Sequence, residues 1–72
     1  MILNDIISPL LEKYDSLQCI ECIGFHSWWQ DDRWICDIYS DYINVRRGPS
    51  HLNATDPEFI NKFQNALYHA LY

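Results

Sequence analysis

Leu3, Ile7, Leu10, Tyr14 and Leu17 recur every three or four residues, with Ile6 and Leu11 beside them. Asn4, Asp5, Glu12 and Asp15 fall on the other side, so the pattern predicts an amphipathic helix over about 3–15. Pro9 interrupts it. Either Ser8 caps a shorter helix with Pro9 in its first position, or Asn4 starts the longer helix and Pro9 bends it. The stripe runs unbroken through both halves, which favours the longer helix. At the other end, Thr55-Asp56-Pro57-Glu58 has the composition of a capping box, with proline and acids in the first turn. Phe59, Ile60, Phe63, Ala66, Leu67, Ala70 and Leu71 then form one apolar face of a helix over about 56–71. Tyr68 and Tyr72 lie on its opposite side, one turn apart, near Asn61 and Asn65.

Between the helices the pattern alternates, which predicts strands over about 18–30, 33–40 and 42–46. Asp31-Asp32 suits a two-residue turn, although it lacks the glycine that would strengthen the signal. That turn pairs position 29 with 34, 27 with 36, 25 with 38 and 23 with 40. One sheet face then carries Ile23, Phe25, Trp29, Trp34, Cys36 and Ile38, a coherent apolar set that reads as core. The other carries His26, Trp28, Ile35, Asp37, Tyr39 and Asp41. A third strand follows a tight turn near Ser40-Asp41 and ends at Gly48-Pro49-Ser50, and a loop through Asn53 leads to the last helix. The predicted fold is α+β, a single domain over 1–72. Its order is helix, two- or three-stranded antiparallel sheet, helix, with both helices packed on one sheet face.

A chain of 72 residues makes one domain. At this size only about 60% of the unfolded chain's surface is removed from water, so the core must be rich. With 49% hydrophobic and 15% aromatic residues it is rich enough for a fold without staples. Three cysteines cannot all pair, no apolar run reaches membrane-spanning length, and the opening MILND lacks a basic leader region. The expectation is free thiols in the cytoplasm, the host cytoplasm if the chain is phage-encoded. In that setting the Asn53-Ala54-Thr55 glycosylation sequon is accidental. Charge is uneven. Residues 1–45 hold Lys13 and Arg33 against eight acids, a net of −6, and residues 46–72 hold three cations against two acids, a net of +1, for a total of −5. Such a surface repels nucleic acid and speeds encounter with a basic partner, or simply keeps a small protein in solution.

Motifs for chemistry are few. Cys19-x-x-Cys22 is half a zinc site, and His26, Cys36 and His51 are further donors. On an extended segment, however, an odd separation sends the two thiols to opposite faces, and Cys36 lies roughly 26 Å from Cys19 along the strand at about 3.3 Å per residue. Thiols acting as small apolar groups fit better, and no metal or cofactor is expected. No helix starts at Cys19, so a redox pair lacks the dipole that lowers a thiol pKa. His26 near Asp31 or Cys22 sketches a dyad without an orienting third group, and two glycines cannot build a phosphate loop, so no catalytic residues are expected. Arg46-Arg47 is too small a cluster for backbone-driven nucleic-acid affinity.

What remains is the second sheet face. Large rings interleaved with carboxylates are unlike the solvent side of an ordinary hairpin, and Tyr and Trp are enriched at interface hot spots. Carboxylates at alternate strand positions stand roughly 6.8 Å apart, of the order of the phosphate repeat along a nucleic-acid strand. Trp28, Asp37, Tyr39 and Asp41, with Asp31 and Asp32 at the tip, therefore form the candidate partner-binding surface. The competing reading covers this face with a helix or the third strand, making Trp28 and Tyr39 core and the acids a rim. A helix beginning Asn4-Asp5-Ile6-Ile7, a small acid-rich antiparallel sheet and a closing helix Glu58-Phe59-Ile60-Asn61-Lys62-Phe63 resemble, in size, charge and element order, small phage anti-CRISPR inhibitors of the DNA-mimic type. The resemblance implies occlusion of a basic, nucleic-acid-binding surface on an enzyme. The same order is similar to double-stranded-RNA-binding domains, but Asp56-Pro57-Glu58 stands where those carry a basic helix terminus. The functional expectation is a non-enzymatic inhibitor or binding module for a basic protein, with no direct nucleic-acid or membrane contact. Two alternatives stay open: a self-associating accessory subunit using Tyr68 and Tyr72, and a Cys/His metal-binding protein.

Overall fold

The computed structural model describes residues 3–47 and 51–72. In chain order the elements are α1 (Leu3–Glu12), β1 (Leu17–Cys22), β2 (Phe25–Gln30), β3 (Arg33–Ile38), β4 (Tyr42–Val45), β5 (His51–Asn53) and α2 (Phe59–Leu71). The described strands form one antiparallel sheet in the order β1-β2-β3-β4-β5. This corrects the expected two or three strands. The long strand over 18–30 is two strands, because Ile23-Gly24 closes a two-residue hairpin between Cys22 and Phe25, with Gly24 at φ +87°. That backbone conformation suits glycine and strains any other residue. Ile23, expected in the core, is the fully exposed turn residue beside it. The other addition is β5, which lies in the segment read as a loop; the Gly48-Pro49-Ser50 stop falls outside the described residues.

Both helices contribute to one core. Leu3, Ile7 and Leu11 point inward from α1, and Phe59, Phe63, Ala66, Leu67, Ala70 and Leu71 from α2. They meet Leu17, Trp28, Ile35, Cys36, Ile38, Ile43, Val45 and Leu52 from the sheet. α2 lies across β3, β4 and β5, and α1 is tied to β2 where Trp28 Nε1 donates to Asn4 Oδ1 at 3.0 Å. Helix α1 stops at Glu12, short of the predicted 15. Two turn bonds, Tyr14 N–H to the Leu11 carbonyl and Leu17 N–H to the Tyr14 carbonyl, then swing the chain into β1. Pro9 sits inside α1 on its exposed side, where the missing N–H leaves the Asp5 carbonyl to solvent. At the tip of the β2–β3 hairpin, Arg33 reaches Gln30 Oε1 and donates to the Leu71 carbonyl at 3.2 Å. A cation there also complements the negative end of the α2 dipole. No helix among the described residues is long and apolar enough to cross a membrane.

The capping box does not form. Helix α2 begins at Phe59, and Glu58 in the N-cap position makes no side-chain cap. Thr55 Oγ1 instead donates to Asn53 Oδ1 at 2.9 Å, and Asp56 Oδ1 accepts the Glu58 N–H at 2.9 Å. Asp56 also pairs with Lys62. The Lys62 hydrogen bond, then the Glu58 N–H, hold the Asp56 carboxyl below its usual range, and the same pair raises Lys62. A depressed carboxyl pKa stabilises the fold above the unfolded value, about 4, and the benefit is lost as pH falls through the folded value. The raised lysine acts in the opposite sense, losing its contribution as pH rises through a value above about 10.4. The stability gap between the native chain and Asp56→Asn, read from urea midpoints, is therefore expected to be constant from about pH 5 to 9 and to close below about pH 4. A gap that persists in acid would assign the role to the turn geometry rather than to the charge.

Candidate functional site: the uncovered sheet face

The register decides which side chains escape the helices. At the tip, Gln30 pairs with Arg33 and Trp29 with Trp34, around a turn in which Asp31 takes φ 54°. One step on, the pairing shifts: Trp28 faces Cys36, Ser27 faces Asp37 and His26 faces Ile38. Ile35 is the extra residue of a β-bulge, which leaves Ile35 and Cys36 both buried although they are consecutive. Beyond the bulge every β3 side chain is on the face opposite to that of an unbroken ladder. Both predicted faces are thereby split. Of the set read as core, Cys36 and Ile38 are core, while Phe25, Trp29 and Trp34 lie on the uncovered face. Of the set read as outward, Trp28 and Ile35 are core, while Asp37 and Tyr39 are on the uncovered face.

The correction matters most for Trp28. It is only 4% exposed, beneath α1 with its N–H satisfied by Asn4, and cannot touch a partner. Asp31 and Asp32 are exposed at the turn as expected, and Asp41 is exposed in the β3–β4 connection, where its carbonyl accepts the Ala54 N–H. Asp37 and Tyr39 share the uncovered face, but Asp37 is engaged, accepting Trp34 Nε1 at 2.8 Å. The six residues therefore do not form one patch. Tyr68 on α2 and Tyr72 just past its end are 61% and 81% exposed, with ring centroids 5.0 Å apart.

The uncovered face is instead a stack of rings running across four strands. Phe25 of β2 stacks on Tyr39 at 5.0 Å, Tyr39 on Tyr42 of β4 at 4.5 Å, and Tyr42 on His51 of β5 at 4.5 Å. Trp29 and Trp34 continue the aromatic surface toward the tip. Trp29 Nε1 donates to Ser27 Oγ at 2.8 Å and Trp34 Nε1 to Asp37 Oδ1, so both indole N–H groups are satisfied within the face. Gln18, Ile20 and Cys22 of β1 complete one margin. Partial burial, then the Asp37 carboxylate, push the Tyr39 hydroxyl above the usual phenol range. Sequence reasoning missed Phe25, Trp29, Trp34, Tyr42 and His51 here. Gly24 was the legible signal for the β1–β2 hairpin, and the adjacent apolar pair Ile35-Cys36 was the trace of the bulge.

A cleft of about 190 Å3 at the β1–β2 hairpin end is lined in part by Asn4, Glu21, Cys22, Phe25, His26 and Tyr39. Within it, His26 Nε2 faces Glu21 Oε1 at 3.5 Å, whereas the Cys22 thiol contacts the Ile20 carbonyl at 3.8 Å. Thiol and imidazole are thus not paired as nucleophile and base. Cys19 projects to the helix side of β1 and Cys22 to the other. Burial, then Glu21 and Cys22, hold the Cys19 thiol above its ordinary range, and deep burial does the same for Cys36. All three cysteines are free, and among the described residues no three His, Cys, Asp or Glu side chains converge on a common point. No protein-family description, curated protein or solved structure matches this chain.

Proposed function

We propose that this chain is a non-enzymatic protein-binding module, acting in a reducing cytoplasmic setting, that docks its ring-bearing sheet face on a partner protein. The observation that carries this reading is the four-ring stack from Phe25 to His51 on the side no described helix covers. Pre-ordered aromatic area contributes binding energy at small entropy cost, because rings already held against one another do not have to be immobilised on association. The same rings in a basic groove would suit single-stranded nucleic acid, but here the chain has a net charge of −5, and electrostatics oppose a phosphate backbone. A partner with an apolar patch bordered by Lys or Arg fits both features. Asp31, Asp32 and Asp41 stand at the margins to meet those cations. A nucleic-acid-binding enzyme is one source of such a surface, and covering it would inhibit that enzyme.

The test is comparative capture from the native host with the intact chain as bait. Tyr42→Lys is expected to weaken retention of the main captured protein at least tenfold, while Tyr68→Lys leaves it unchanged. Retention should also fall several-fold between low and physiological salt, because rim charges are screened over about 8–10 Å. Equal capture by the Tyr42→Lys bait would end the proposal. Loss with Tyr68→Lys alone would transfer the function to the Tyr68–Tyr72 pair, the surface of the self-associating alternative.

A further inference from the structure

The two edges of the sheet are built differently. An exposed edge strand offers unpaired backbone groups to any other strand, and proteins guard against this with short edges, lysine, proline or bulges. β5 is three residues long. β1 is six residues long, LQCIEC, with no lysine, proline, glycine or bulge, and Glu21 is its one charge. Because Cys22 and Phe25 close a two-residue hairpin, residues 18, 20 and 22 bond to β2, and the N–H and C=O groups of Cys19 and Glu21 point away from the sheet. No described strand lies beyond them. α2 sits over β3, β4 and β5, at the far side of the sheet, and the β1 side chains from Gln18 to Glu21 are all exposed. Ile20, at the middle of the strand, is 52% exposed.

We propose that β1 pairs antiparallel with β1 of a second copy of this chain, about a two-fold axis at Ile20, making one continuous sheet. The geometry selects this register. A two-fold axis perpendicular to the sheet keeps both helix layers on one side, so opposed residues must come from the same face. Centred on Ile20, Cys19 of each copy opposes Glu21 of the other, and these outward-pointing residues exchange their N–H···O=C bonds. Ile20 then meets its own counterpart in the close, non-hydrogen-bonded position, with Cα atoms about 4.5 Å apart. Centring on Glu21 would oppose like charges. Centring on Cys19 would call on the Leu17 N–H, which the Tyr14 carbonyl already holds. Only the Ile20 register satisfies the free backbone groups and places apolar surface against apolar surface. The pairing uses the sheet's edge and leaves the ring-bearing face open, so it stands independently of the docking proposed above.

Sedimentation velocity of the pure chain in reducing buffer, over a wide concentration series, is expected to show a monomer–dimer equilibrium. Ile20→Lys should weaken dimerisation at least tenfold, and Tyr72→Lys should leave it unchanged. Amide exchange on the native chain supplies a readout that needs no variant: the Cys19 and Glu21 N–H groups should gain protection as concentration rises, in step with the dimer fraction. A chain that stays monomeric throughout would overturn the proposal, as would open-ended growth beyond a dimer. So would a dimer insensitive to Ile20→Lys, or one that forms without protecting those two amides.

Discussion

Phe63→Ala is expected to lower the stability of the chain by about 3–5 kcal/mol. Phe63 is fully buried at the middle of α2, within the layer that covers β3, β4 and β5. Truncating a buried phenylalanine costs about 3–5 kcal/mol, partly lost transfer energy and partly the cavity that remains. A domain of this length has a total stability of roughly 4–11 kcal/mol at about 0.05–0.15 kcal/mol per residue. One substitution therefore removes a large fraction of it. The check is urea denaturation followed by circular dichroism, with Ile60→Ala as the control. Ile60 belongs to the apolar stripe by spacing but stands at its exposed margin, so its truncation should cost under about 1 kcal/mol. Equal losses for the two would mean that α2 does not dock by the face described.

Trp28→Ala carries the second large effect, also about 3–5 kcal/mol. Trp28 fills the space between α1 and β2, and its indole N–H is the donor that satisfies Asn4. Trp28→Phe keeps most of the ring but leaves Asn4 without that donor, at a cost of about 1–3 kcal/mol. Asn4→Ala in the same cycle should recover part of that loss, since the two groups no longer need each other. Trp29→Phe and Trp34→Phe are expected to cost less, because both rings are only half-buried, and to fall on partner binding instead. A continuous ladder without the bulge would reverse this ranking. Denaturation curves for the three Trp→Phe variants thus test the bulge directly.

Much of the architecture can be traced to local pattern. The buried faces of α1 and α2 follow from apolar residues at three- and four-residue spacing, and both helices form near the predicted spans. Asp31-Asp32 is the turn, and Tyr42 begins a strand, as alternation requires. Local pattern went wrong where two local solutions compete for the same residues. Thr55 has the chemistry of a helix cap yet bonds Asn53, because β5 draws the chain before it into the sheet. FHSWWQ and RWICDI carry rings or aliphatic groups on both alternations, so hydrophobicity could not tell the covered side from the open one.

The sequence by itself determined the helices, the antiparallel hairpin at Asp31-Asp32 and an unusual supply of aromatic side chains for so short a chain. These depend on periodicity and turn chemistry within a few residues. Tertiary structure alone decided which of those rings face outward. A strand repeats every two residues, so the single inserted residue Ile35 reverses every side chain beyond it, and that insertion is fixed only when Trp28 and Cys36 are packed together beneath the helices.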